Sequence, residues 1–284
     1  MCKKSRVWFV TGSSQGLGRA IVETALKNGD RVVAASRKVN AFQDLVHTWN
    51  EQILPVVLDV TNKKQIQDAV VKTMDVFGQI DVLVNNAGYG LLGAVEEVSE
   101  QEEQQLFQVN VFGLLAVTRS ILPIMRKQRS GHIINMSSIA GIAAGTGSGL
   151  YAASKFAVEG LSEALSSEAA ALGIKVTIVE PGQFRTNFLG DSLRVAEQHL
   201  EDYRSTAGAM KETLLNQNGL QQGDPAKAAE AILRAVEMEH STLRLPLGPD
   251  CLMRLRKKLD SVEEDIQTWE NITLNTGYKE GTVH

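Results

Sequence analysis

Arg6-Val-Trp-Phe-Val-Thr-Gly-Ser-Ser-Gln-Gly-Leu-Gly18 is a run of β-favouring apolar residues that breaks into a glycine-rich turn. A helical pattern follows, with Leu17, Ile21 and Ala25 on one face and Asn28-Gly29 as its stop. Strand, glycine turn, helix is the context a dinucleotide-binding turn needs. Glycines let the backbone approach a pyrophosphate, which then sits at the positive end of the helix. Gly12, Ser14, Gln15, Gly16, Leu17 and Gly18 are therefore candidate cofactor contacts. The spacing is Gly-x-x-x-Gly-x-Gly rather than Gly-x-Gly-x-x-Gly, and an ordinary strand–helix turn could carry the same triplet.

Reading outward, the strand Arg31–Ala35 leads into Ser36-Arg37-Lys38. An acid at this strand end would accept hydrogen bonds from the adenosine ribose and repel a 2′-phosphate. None is present, and Arg37 offers a guanidinium suited to phosphate, so NADP(H) is preferred over NAD(H), with Ser36 and Arg37 as its contacts. A helix around Phe42–Trp49 precedes the strand Leu54–Leu58, which ends in Asp59-Val60. Asp59 reads equally as an adenine contact, with Val60 beside it, or as the N-cap of the helix starting near Asn62. A helix over Gln65–Phe77 feeds the strand Ile80–Val84 and then Asn85-Asn86-Ala87-Gly88, small and amide residues that let the chain lie close to a cofactor ring. Strands alternating with helices imply an α/β fold, a doubly wound parallel sheet of Rossmann type, with ligands at the carboxyl ends of the strands.

Ser99-x-x-Glu102 is a capping box that opens a long helix through Leu106, Val109, Leu114, Val117 and Ile121. Pro123 is expected to bend or end it near Leu122, and Asn110 lies within it. The strand His132–Met136 delivers Ser137 and Ser138, and Tyr151-Ala-Ala-Ser-Lys155 opens a further helix. Residues four apart share a helix face, so Tyr151 and Lys155 point the same way. A free tyrosine titrates near ~10, and a nearby ammonium favours its phenolate. The pair is thus expected to make a tyrosine that donates and accepts a proton, with the Ser138 hydroxyl placed to hydrogen-bond the reacting oxygen. The strand Lys175–Val179 ends in Glu180-Pro181-Gly182-Gln-Phe-Arg-Thr186.

The set Thr11–Gly18, Asn85–Gly88, Ser138, Tyr151–Lys155 and Pro181–Thr186 resembles the short-chain dehydrogenase/reductase family in order and spacing, over roughly residues 5–190. The resemblance implies nicotinamide-dependent hydride transfer between a ketone or aldehyde and an alcohol. Tyr151 would be the acid/base, and Lys155 would lower its pKa and hold the nicotinamide ribose. Ser138 would polarise the substrate oxygen and Asn110 would keep a proton-relay water. Asn86, Ala87, Gly88, Pro181, Gly182 and Thr186 would line the nicotinamide side of the cofactor. The same resemblance implies a homodimer or homotetramer paired through helices at about 100–122 and 152–172. The competing reading is a non-catalytic NADP(H)-binding sensor or scaffold. A sugar-nucleotide enzyme is disfavoured by the short chain after Thr186.

Residues 187–222 are expected to form one or two helices as a substrate lid, with Phe188, Leu189, Leu193 and Met210 facing an apolar pocket. Asp224-Pro225 starts the next helix, Leu243–Leu247 reads as an edge strand because of Pro246, and a helix over Asp250–Asn271 precedes a loose tail at Asn275–His284. The expected organisation is one domain over all 284 residues. A net charge of -4 offers no footprint for nucleic acid or an anionic membrane. The basic residues of the last helix, Arg254, Arg256, Lys257 and Lys258, are followed by Glu263, Glu264, Asp265 and Glu270 and read as a solvated face. No run approaches the ~18 apolar residues of a membrane span, and the N-terminus reads as a strand rather than a signal peptide. Cys2 and Cys251 make no metal spacing, His47, His132, His199, His240 and His284 are scattered, and a reduced, cytoplasmic setting is the simplest expectation.

Overall fold

The computed structural model describes residues 5–240 and 242–278. In chain order the elements are β1 (Val7–Thr11), α1 (Gly16–Lys27), β2 (Arg31–Ser36), α2 (Gln43–Trp49), β3 (Ile53–Val57), α3 (Lys63–Phe77), β4 (Val82–Asn85), β5 (Gly90–Leu92) and α4 (Glu100–Phe107). There follow α5 (Leu114–Gln128), β6 (Gly131–Met136), α6 (Gly149–Ala170), β7 (Ile174–Pro181), β8 (Leu193–Val195), α7 (Ala209–Asn216), α8 (Pro225–Glu237), β9 (Arg244–Leu247) and α9 (Pro249–Leu274). The main sheet runs β3-β2-β1-β4-β6-β7-β9, parallel throughout. Strand order reverses between β1 and β4, so a crevice opens there at the carboxyl ends of the strands. β9 is the edge strand, where the missing N–H of Pro246 costs no ladder bond.

Both faces of the sheet are covered, and β1 shows why its sequence is apolar without alternation. Val7 and Phe9 join the core under α3 and α5, with Ile66, Val117, Ile121 and Met125. Trp8 and Val10 join the opposite core under α1 and α8, with Ile21, Leu26 and Ile232. The Trp8 indole N–H buried there donates to Asp30 Oδ2 at 3.0 Å, and the buried Thr11 hydroxyl donates to Val84 O at 3.3 Å.

Pro123 does not end its helix: α5 continues to Gln128. Pro123 and Arg119, whose carbonyl loses its partner, both face solvent, while Val117, Ile121 and Met125 hold the other side to the sheet. Glu100–Gln128 contains a window of mean hydropathy 1.4, as apolar as a membrane span. Its burial against the sheet accounts for that composition. Between α4 and α5 the residues Gln108–Gly113 form a π-helical turn. The extra residue turns Asn110 inward, where it is buried rather than solvated.

The segment after β7 holds one of its one or two expected helices, together with a strand that was not expected. It contains α7, short helical turns and β8, which pairs parallel with β5 in a second small sheet. Gly90 makes that pairing possible, since a Cβ there would lie 2.8 Å from Leu193 and 3.0 Å from Phe188. Asp224 caps α8 through Ala226 N at 2.8 Å, with Pro225 in the first turn. Of the expected tail, residues 279–284 lie outside the described residues.

Candidate active site

A cleft of about 1280 Å³ opens at the carboxyl ends of the strands. Gly12, Ser14, Gln15, Gly16, Leu17, Gly18, Ser36, Arg37, Asp59, Val60, Asn86, Ala87 and Gly88 line it, with Ser138, Tyr151, Lys155, Pro181, Gly182 and Thr186. Only Asn110 of the expected set is not on the wall; it lies one layer behind.

The glycine turn is stitched to the end of β4. Thr11 Oγ1 accepts from Asn86 N at 3.0 Å and Ala87 N at 3.1 Å, and Asn86 Nδ2 donates to the Thr11 and Gly12 carbonyls at 3.0 and 2.9 Å. Gly12 and Gly16 adopt φ of 61° and 60°, a region that strains any other side chain. A Cβ on Gly12 would lie 2.7 Å from Ala87 Cα, and one on Gly18 would lie 2.4 Å from Asn86 Nδ2. No side chain caps α1, so its first N–H groups face the cleft unclaimed. A phosphate-bearing dinucleotide fits this cradle, because the turn has no side-chain bulk and a positive helix end points into it.

At the other end of the cleft, Ser138 follows β6 and accepts from Ala140 N at 3.1 Å, which fixes its side chain. Tyr151 lies in the first turn of α6 with Lys155 one turn on, as their spacing predicts. The Ser138 hydroxyl lies beside the Tyr151 phenol, and Phe188 from the segment after β7 lies 6.1 Å from the Tyr151 ring centre. Lys155 Nζ donates to Met136 O at 2.8 Å and lies 5.8 Å from the Tyr151 ring centre. The ammonium thus donates to the backbone and lies over the Tyr151 ring. Desolvation pushes Tyr151 up to about 12 rather than down, which the nearby Ser138 hydroxyl only partly offsets. Desolvation also lowers Lys155 to about 8, against a favourable contribution from Glu159.

Asn110 clamps the loop beneath this group. Its Oδ1 accepts from Tyr89 N at 3.0 Å, and its Nδ2 donates to Tyr89 O at 2.9 Å and to Ser154 Oγ at 3.2 Å. Asp59 is not the cap of α3; that is Asn62, which accepts from Gln65 N at 3.1 Å. Asp59 instead accepts from Thr61 and lines the cleft. Asn85 does not face the cleft: buried behind it, Asn85 donates to Thr118 Oγ1 and Asn135 Oδ1, both at 2.9 Å.

The sequence reading missed a charged cluster under the site. Glu159, one turn after Lys155, shares Arg244 of β9 with Glu163 and Glu180. Glu180 is fully buried, and desolvation, helped by the charge of Glu159 and opposed by Arg244, pushes it up to about 7. Glu159 is also pushed up, chiefly by desolvation, while the nearby Ser137 hydroxyl and the Arg244 charge oppose this. The four-residue step from Lys155 to Glu159 was visible in the sequence; its meeting with Glu180 and Arg244 was not. His132 is structural: buried, 2.9 Å from Thr177 Oγ1 and lowered to about 4, chiefly by desolvation. Among the described residues no cluster suits a metal ion.

A parallel sheet with this strand order, a glycine cradle at its switch point, and a serine, tyrosine and lysine at the far end of the same cleft are the features of a Rossmann-type oxidoreductase. The chain belongs to the short chain dehydrogenase family, whose pattern matches residues 6–195. An oxidoreductase of Botryotinia fuckeliana, BOA17, is 38% identical over 95% of this chain and 98% of its own length. A short-chain dehydrogenase from Streptomyces avermitilis has a crystal structure similar to this one, with a TM-score of 0.91 and 42% identity over 97% of this chain and 100% of that one. A short chain dehydrogenase/reductase from Burkholderia phymatum, in complex with NAD, superposes with a TM-score of 0.81 at 26% identity, over 92% of this chain and 95% of that one.

Proposed function

We propose that this protein interconverts a ketone or aldehyde and the corresponding alcohol with NADP(H), using Tyr151 as general acid and base. The observation that carries the reading is that Ser138, Tyr151 and Lys155 line the same cleft as the glycine cradle. When bound, the nicotinamide supplies or accepts the hydride. Tyr151 gives its proton to the carbonyl oxygen during reduction and takes it back during oxidation. Its raised pKa keeps the phenol protonated at neutral pH, the form that reduction needs. Ser138 holds the same oxygen by a hydrogen bond, and Lys155 adds positive charge on that side of the cleft. Asn110 keeps the Tyr89 loop and Ser154 in place behind them.

The preference for NADP(H) rests on Ser36 and Arg37, which line the cleft at the end of β2 where no acid repels a 2′-phosphate. The pocket beyond Tyr151 is closed by Phe188, Leu189, Leu193 and Met210, which suits a mostly apolar carbonyl compound. Pairing into dimers or tetramers through the helices at about 100–122 and 152–172 is supported by Phe112, in the π-helical turn before α5, and Phe156 of α6, 53% and 45% exposed.

The test is NADPH consumption across aldehydes and ketones graded in size. Tyr151→Phe should abolish turnover and leave NADPH binding nearly intact; a mutant that still turns over refutes the acid/base role. Arg37→Asp should reduce the NADPH-over-NADH ratio of kcat/KM by at least ~10-fold, about 1.4 kcal/mol. An unchanged ratio removes Arg37 from phosphate recognition.

A further inference from the structure

The last helix, α9, leaves the body after its first turns. Cys251 is buried and Arg254 donates to Ala143 O, but from Arg256 to Tyr278 every residue is exposed. Met253, Ile272 and Leu274 are exposed elsewhere on the helix, but its other exposed apolar residues fall on one line. Leu252, Leu255, Leu259, Val262, Ile266 and Trp269 follow alternating steps of three and four, the spacing of a two-stranded coiled-coil seam. Exposure along the seam runs from 38% at Val262 to 57% at Leu259 and Trp269, with Leu255 half-buried. A helix so apolar on one face has that face covered in a stable assembly.

The charges indicate what covers it. Arg254, Arg256, Lys257 and Lys258 lie in the first half of α9, whereas Glu263, Glu264, Asp265 and Glu270 lie in the second. Among the described residues, none of Arg256, Lys257, Lys258, Glu264, Asp265 and Glu270 forms an ion pair. An anionic lipid surface or a nucleic acid would be repelled by the acidic half, which carries Trp269. A parallel copy would set like charges side by side. An antiparallel copy sets the basic half of each helix against the acidic half of the other.

We propose that α9 pairs antiparallel with α9 of a second copy of this chain, about a two-fold axis level with residues 260–261. In that register Leu252 packs on the partner's Trp269, Leu255 on the partner's Ile266, and Leu259 on the partner's Val262. Symmetry repeats each layer. Arg256 then flanks the seam beside the partner's Glu263, and Lys258 flanks the other side beside the partner's Asp265. The three layers and both flanking pairs fall in one register, which scattered apolar residues would not do. The seam covers residues 252–269, roughly 27 Å of helix. Asp250 and Arg254 of the first turns of α9 line the cleft, but none of the six seam residues does, so the pairing goes beyond the catalytic reading and does not depend on it.

The test is the mass of the full chain in solution, by sedimentation velocity and light scattering over a concentration series. Leu259→Glu with Ile266→Glu should lower the largest assembly two-fold while leaving helical content and NADPH binding unchanged. Arg256→Glu with Lys258→Asp should do the same. Adding Glu263→Arg and Asp265→Lys to that second variant should restore the assembly, because the complementarity returns with its sign inverted. Spin labels at Ser261→Cys, in a Cys2→Ser background, should lie within about 20 Å across the two-fold, whereas labels at Asn271→Cys should be separated by about 30 Å along the axis. An unchanged mass in the Leu259→Glu, Ile266→Glu variant overturns the proposal. So do equally short distances at both labels, which would mean a parallel pair, or a wild-type monomer whose α9 binds phosphatidylserine vesicles.

Discussion

Replacing Arg244 with methionine isolates the charge of the cluster under the site, since methionine preserves much of the side-chain stem. Arg244 Nε lies 3.2 Å from Glu180 Oε1 and its Nη2 3.4 Å from Glu159 Oε2, with Glu163 on the outer side. Neither Glu180 oxygen has a hydrogen bond, so the guanidinium is what offsets its burial. Breaking a buried pair costs about 3–5 kcal/mol, and because Arg244 itself is about a third exposed, solvent screening brings the expected loss to about 2–3 kcal/mol. For a chain of this size that corresponds to a fall in Tm of roughly 3–5 °C. The loss must depend on pH. Glu180 is raised from 4.5 to about 7, so the folded state holds its proton more tightly than the unfolded chain. The associated stability is fully present below about 4.5 and is lost as pH climbs through about 7. Without Arg244 the ionised carboxylates repel each other unopposed, and protonation relieves them. Thermal denaturation followed by circular dichroism should show the full loss near pH ~8 and most of it gone near pH ~5.5. An equal fall in Tm at both values, or none at the higher, would refute the argument that this cation balances buried carboxylates.

Two further outcomes concern the cleft. Gly18→Ala puts a methyl 2.4 Å from Asn86 Nδ2 and 2.6 Å from Gly12 O, so the stitched turn must open; NADPH titration by fluorescence should show a Kd at least ~10-fold weaker, and an unchanged Kd would place the cofactor elsewhere. Lys155 is lowered to about 8 by desolvation, so its ammonium is lost as pH rises through that value. The pH profile of kcat/KM for carbonyl reduction should therefore fall above about 8, and a flat profile to pH ~10 would show that the charge is not needed.

Most of the cleft was legible in the chain because its parts are local. The Gly12–Gly18 turn, the one-turn step from Tyr151 to Lys155, the Ser99–Glu102 capping box and the Asp224–Pro225 helix start each depend on neighbours within a few residues. Asn110 shows the limit of that reading. A mid-helix asparagine looks solvated until a π-helical turn, invisible in spacing, rotates it onto Tyr89 and Ser154. Pro123 failed as a helix stop for a related reason: sheet packing outweighed one lost hydrogen bond on the wet side.

The sequence alone determined the order of strands and helices, the doubly wound sheet, the glycine cradle and the serine, tyrosine and lysine of the cleft, since periodicity and short motifs encode contacts between residues close in the chain. The tertiary structure alone decided the pairing of β8 with β5 in a segment expected to be helical. It also decided the gathering of Glu159, Glu180 and Arg244 and the sign of the Tyr151 shift. Those depend on desolvation and on partners tens of residues away, and burial is a property of the folded surface that no local stretch of sequence carries.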